Sequence, residues 1–154
     1  MLELLFEKSD ALNSLIHSHV LPSHPTDYIS LVQRTRNALG DLSVTNPSDP
    51  NIPLIIAAHP RLGASKVESA SSQKEQESLK AANEQEAHQL KELNQQYEQA
   101  FPSLRYVVFV NGRSRSLVME NMRQRIARGD IAEEIREAFD AMCDIALDRL
   151  QKIA

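Results

Sequence analysis

Residues 131–153, IAEEIREAFDAMCDIALDRLQKI, decide the fold class. Ile131, Ile135, Ala138, Phe139, Met142, Ile145, Ala146, Leu150 and Ile153 recur at three- and four-residue steps, which align side chains on one face of an α-helix. Asp130 precedes the run as its cap, and Gly129 closes the element before it. That earlier element is a helix over 114–127, with Leu117, Val118, Met122, Arg125 and Ile126 along one face.

Composition points the same way. Aromatic residues make up 5% of the chain and glycine only 4 of its 154 residues, while Ala, Leu, Glu, Gln and Arg are abundant, a mixture that favours helix over sheet. With 42% hydrophobic residues, the chain can bury one genuine core. The expectation is an all-α, single-domain helical bundle over residues 1–154.

Farther upstream, Ser72 to Phe101 reads as one long amphipathic helix carrying Leu79, Ala82, Leu90, Leu93, Tyr97 and Phe101, ended by Pro102. Tyr106-Val107-Val108-Phe109-Val110 is the one strongly β-like run, without a partner strand. It reads as a buried extended connection or as the start of a helix. A short helix over 54–59 follows Pro53, and Pro60 disfavours the α conformation at His59, which places the histidine at the element's end. Thr26-Asp27 caps a helix that Gly40 should stop, leaving 41–51 as a loop, and Ser9 or Asp10 caps another over 11–20.

Charge and targeting exclude several classes. A formal charge of −4 with no basic stripe argues against nucleic acid as a partner. No apolar run reaches membrane-spanning length. Glu3 and Glu7 interrupt the apolar start, so it fits neither a secretory signal nor a transit peptide, and Leu150 to Ala154 is not a peroxisomal address. A cytoplasmic protein is expected, with Cys143 a buried small hydrophobe.

The informative residues are polar groups where the helical pattern wants apolar ones. Ser72 and Glu75 project to the same side as Leu79, with Gln76 at its edge, although Ser72-x-x-Glu75 is also a capping box. Arg149 falls inside the carboxyl-terminal stripe, where it snorkels to solvent, pairs with a surface acid or, if held inside, meets a carboxylate ligand with its planar fork. His59 ends an apolar segment, a position that suits a hydrogen-bonded core histidine as well as a catalyst. The spacing of the other histidines supports no zinc site.

Taken in order, His59-Pro-Arg-Leu-Gly63, Ser72-x-x-Glu75-Gln76, Asn94-x-x-Tyr97 and the closing Arg149-Leu150 resemble the 2-oxo-4-hydroxy-4-carboxy-5-ureidoimidazoline (OHCU) decarboxylases. Leu5-Phe6-Glu7 and Gly112-Arg-Ser resemble further elements of that family. Where the family usually has Phe-Gly-Phe-Pro-Phe, this chain reads Phe101-Pro-Ser-Leu-Arg-Tyr106, and Glu77-Ser78 replaces the usual Ala-Gly.

The resemblance implies an all-helical homodimer without metal or organic cofactor, acting in urate breakdown on an anionic ureidoimidazoline and releasing carbon dioxide to give (S)-allantoin. It implies His59 as catalytic acid or base and Pro60 as the shaper of its loop. Ser72, Gln76 and Arg149 would bind substrate, together with the backbone from Tyr106 to Val110. Glu75 falls in the same run as Ser72 and Gln76, and the mechanism expected from these residues gives it a catalytic part, holding His59 in the required tautomer. The competing readings are a helical scaffold protein whose polar residues only cap, and a lyase for a related ureido acid.

Overall fold

The computed structural model describes residues 2–63, 70–79 and 84–153. Eight α-helices occur among them: α1 (Leu2–Leu5), α2 (Asp10–Leu15), α3 (Tyr28–Thr45), α4 (Asn51–Ala57), α5 (Ala70–Glu75), α6 (Glu84–Ala100), α7 (Arg115–Arg128) and α8 (Ile131–Ile153). No strand occurs among the described residues, so the fold is all-α.

The stripe on α8 becomes the centre of the core. Ala138, Phe139, Met142 and Ala146 are buried to within 2% exposure, and the helix packs against α3, α1 and α4. Each large apolar side chain so buried contributes roughly 1.5–3 kcal/mol. The Asp130 carboxylate accepts from the Glu133 N–H at 3.2 Å, as a cap should. Ser9, Asp27 and Ser114 do the same for α2, α3 and α7.

Several boundaries differ from the sequence expectation, among them α4, which spans Asn51–Ala57 in place of 54–59 and leaves His59 just beyond its end. Helix α3 runs through Gly40 to Thr45, because Leu42 still packs on the core and Ser43 and Thr45 return hydroxyl bonds to the Gly40 and Asp41 carbonyls. A glycine ends a helix when it adopts a left-handed conformation, as Gly129 does after α7 with φ 64°.

The expected continuous helix over 72–101 is also interrupted. Helix α5 ends at Glu75, Gln76 is a turn, and Glu77–Leu79 tightens into a 3-10 turn before α6 begins at Glu84. Gln76 leaves the helical path with its Oε1 accepting from the Gly63 N–H at 3.0 Å, and Arg115 fixes the Leu79 carbonyl with two bonds of 3.2 Å. The break frees α5 to face α8 while α6 packs on α7. Ala82, assigned to the apolar face, lies outside the described residues.

Tyr106 to Val110 is the extended connection rather than a helix start. A buried charge network fixes it from behind. Arg125 donates to the Val107 carbonyl at 3.1 Å and to Glu134 at 2.8 Å, and its guanidinium lies 4.6 Å from the Tyr106 ring centre. Glu134, fully buried, also takes the Tyr97 hydroxyl at 2.7 Å and Arg128 at 2.6 Å. Arg113 holds the Phe109 and Val110 carbonyls. No helix among the described residues is long and apolar enough to cross a membrane.

Candidate active site

Three separated parts of the chain meet in one pocket. His59 and Pro60 enter from the end of α4, Ser72, Glu75 and Gln76 from α5 and its turn, and Arg149 from α8. Tyr106, Val107, Val108, Phe109 and Val110 close the remaining side. Every residue expected at the site from the sequence therefore lines it. Leu62 and Ile145 line it too, and Ile145 stands one helical turn before Arg149 on the same stripe.

Local rules explain each placement. Pro60 ends α4, and Arg105 secures the resulting turn by donating to the Ala57 and His59 carbonyls at 2.8 and 2.5 Å. Gly63 has φ +71°, and a Cβ there would sit 2.6 Å from Leu90, so only glycine lets the turn close on α6. Asn94 completes the turn by donating to the Leu62 carbonyl at 3.0 Å.

Arg149 neither snorkels nor stands free. It is 4% exposed and meets Glu75 as a two-bond fork, Nε to Oε2 and Nη2 to Oε1, both 2.9 Å. Nη2 also reaches Glu7 at 3.0 Å and Ser72 at 3.1 Å, and Nη1 donates to the Leu5 carbonyl at 3.3 Å. Burial opposes charge on the guanidinium, but Glu75 and Glu7 outweigh it and raise its pKa.

The capping-box reading of Ser72 and Glu75 does not hold. Ser72 lies inside α5, and its hydroxyl donates to Glu7 at 2.5 Å. Nor does a hydrogen bond join Glu75 to His59 among the described residues, since both Glu75 oxygens face Arg149. The acid whose charge acts on the imidazole is Glu7, which the sequence offered only as part of Leu5-Phe6-Glu7. Its available signal was position: a carboxylate directly after two side chains that are buried to 0% and 2% exposure.

His59 is 5% exposed, with Nε2 buried and unpartnered. Burial pushes its pKa down to about 4, against the opposing pull of Glu7 and with help from Arg149 and Arg105. The imidazole is therefore neutral at pH 7, able to accept a proton or, from its N–H, to donate one. Burial raises the Glu7 pKa, but the Ser72 hydroxyl and Arg149 outweigh that effect and hold it below the ordinary carboxylate value.

The donors and acceptors in the pocket have defined directions. Gln76 spends its carbonyl on Gly63, so its amide N–H groups remain to be offered. Along the extended wall the Val107, Phe109 and Val110 carbonyls are taken by arginines, whereas no acceptor among the described residues meets an N–H from Tyr106 to Val110. The space for water-sized groups measures about 30 Å³, room for roughly one water. No group of three or more His, Cys, Asp or Glu among the described residues is placed to hold a metal ion.

Residues 1–151 match the family described as OHCU decarboxylase, and the chain belongs to that family. No curated protein matches the chain significantly.

Proposed function

We propose, from the chain's place among the OHCU decarboxylases, which are carboxy-lyases of urate breakdown, that it converts 2-oxo-4-hydroxy-4-carboxy-5-ureidoimidazoline to (S)-allantoin without a cofactor. The observation that carries the reading is the convergence of a buried, neutral His59 with Glu75, Gln76 and Arg149 around one pocket.

The chemical demand is to expel carbon dioxide, hold the electron pair left behind, and protonate one face of the carbon. The substrate's ring carbonyl and imine-like nitrogen delocalise that pair, so the protein must position, polarise and deliver a proton. Gln76 and the N–H groups of the 106–110 wall supply donors for the substrate's oxygens. Arg149 holds Glu75 in its place on the wall and supplies a positive charge beside the pocket that Glu75 and Glu7 offset. His59, neutral and with a buried, unpartnered Nε2, takes up the proton that the substrate's own hydroxyl gives up and returns it to the carbon as carbon dioxide leaves. Pro60 and Ser72 fix the turn and the hydroxyl beside it. A homodimer belongs to the same proposal, supported by the family resemblance, and light scattering on purified protein tests it.

Freshly generated OHCU, followed by circular dichroism for (S)-allantoin, tests the assignment. Wild type should outpace buffer, and His59→Ala should lose about a hundred- to ten-thousand-fold. A wild type no faster than buffer sinks the substrate assignment, and a panel of related ureido acids then becomes the next assay. Full activity in His59→Ala removes the proposed proton transfer while leaving the reaction in place.

A further inference from the structure

Glu7 does not line the pocket, yet it touches two residues that do. Its Oε1 accepts the Ser72 hydroxyl at 2.5 Å and pairs with Arg149 Nη2 at 3.0 Å, and the side chain is only 12% exposed. The consequences follow from valence. A serine hydroxyl has one proton, so a Ser72 that donates to Glu7 turns lone pairs, not a donor, toward its other neighbours. One of those neighbours is Arg149, which donates to Ser72 at 3.1 Å.

Arg149 has five N–H groups, and the Glu75 fork, Glu7 with Ser72, and the Leu5 carbonyl engage all three of its nitrogens. The guanidinium is thus divided between two internal carboxylates before any ligand arrives. Taken together, Glu7, Glu75 and Arg149 leave this corner with one excess negative charge. An anionic ligand approaching it meets repulsion that Glu7 contributes.

We propose that Glu7 is a positioning residue for this reaction: by taking the Ser72 proton and one side of Arg149, it sets the direction of the pocket's donors and weakens ground-state binding of the anion. The proposal rests on the decarboxylase reading above. The charged groups around the site are Glu7 itself, Glu75 from α5, Arg149 from α8 and Arg105 from the connection after α6, with Lys74 and Lys152 lining the neighbouring cavity beside Glu75 and Arg149.

Glu7→Gln is the test, because it keeps the shape and an acceptor for Ser72 while removing the charge. It should lower kcat by about tenfold or more and lower KM severalfold, since the anion gains a less divided arginine as the catalytic geometry loosens. Partial unfolding would reduce kcat with KM unchanged, so a fall in both separates positioning from mere support. Glu7→Ala, which also removes the acceptor of the Ser72 hydroxyl, combined with Ser72→Ala should cost less than the two single effects multiplied, because one acts through the other.

Unchanged kcat and KM in Glu7→Gln, a lower kcat with KM unchanged, or fully multiplicative effects in the double variant overturn the proposal. A wild type without OHCU turnover fails the decarboxylase reading first and takes this proposal with it. Normal wild-type turnover beside an unaffected Glu7→Gln fails this proposal alone.

Discussion

Replacing His59 should change how stability depends on pH, independently of any substrate. The wild-type imidazole is buried with its pKa pushed down to about 4, whereas in the unfolded chain it protonates near the ordinary 6.5. Between those values the unfolded state binds a proton that the folded state refuses. Stability is therefore fully present above about pH 6.5 and is lost as the pH falls toward 4. The full difference is about 3 kcal/mol, most of it expressed by pH 4.5.

His59→Gln removes the titration and keeps a polar side chain at the site. Urea unfolding of both proteins at about pH 7.5 and about pH 4.5 gives four stabilities, and only the change with pH is compared. Glu7, Arg105 and Arg149, whose charges act on the imidazole, are present in both proteins, so acid titration elsewhere largely cancels. Wild type should lose about 2–3 kcal/mol more than His59→Gln between the two conditions. Parallel losses, within about 0.5 kcal/mol, would refute the claim that burial keeps His59 neutral.

Other perturbations probe the scaffold. Glu134→Ala leaves buried Arg125 with only Glu137, at 3.3 Å, as a carboxylate partner and strips the Tyr97 hydroxyl of its acceptor, and should cost about 3 kcal/mol, read as a lower midpoint in thermal or urea unfolding, with circular dichroism checking that the helices survive. Gly63→Ala forces a left-handed backbone and a contact of 2.6 Å with Leu90 on a non-glycine residue. It should destabilise by about 1–3 kcal/mol and impair turnover through the His59 turn, and stability equal to wild type would contradict the close approach. Cys143, whose thiol burial pushes up to about 12, should resist a thiol reagent at about pH 8 in the native protein and react once unfolded. Arg149→Lys should lose most activity despite its retained charge, because an ammonium cannot form the fork to Glu75.

The boundary between legible and illegible features follows range. The α8 stripe, the Asp130 cap and the Gly129 stop are governed by neighbours within a few residues, and their pattern predicts what the structure contains. Gly40 shows the weakness of a local signal taken alone: packing of Leu42 on the core carries α3 past it. The break at Gln76 depends on a partner thirteen residues away, and no helical periodicity reports such a bond.

Which polar residues would gather was visible as misfits: Arg149 on an apolar stripe, Ser72 and Glu75 beside Leu79, and His59 at the end of an apolar segment. What each would bind was not. Arg149 meets Glu75 and Glu7 across separations of 74 and 142 residues, and that pairing exists only because α5, α8 and the segment after α1 pack at one corner. By itself, the sequence determined helices, caps and a set of misplaced polar groups, since these rest on periodicity and local hydrogen bonding. Tertiary structure alone decided that Arg149 divides itself between two carboxylates and that Glu7 acts on His59, because long-range charge pairing depends on distance in space rather than along the chain.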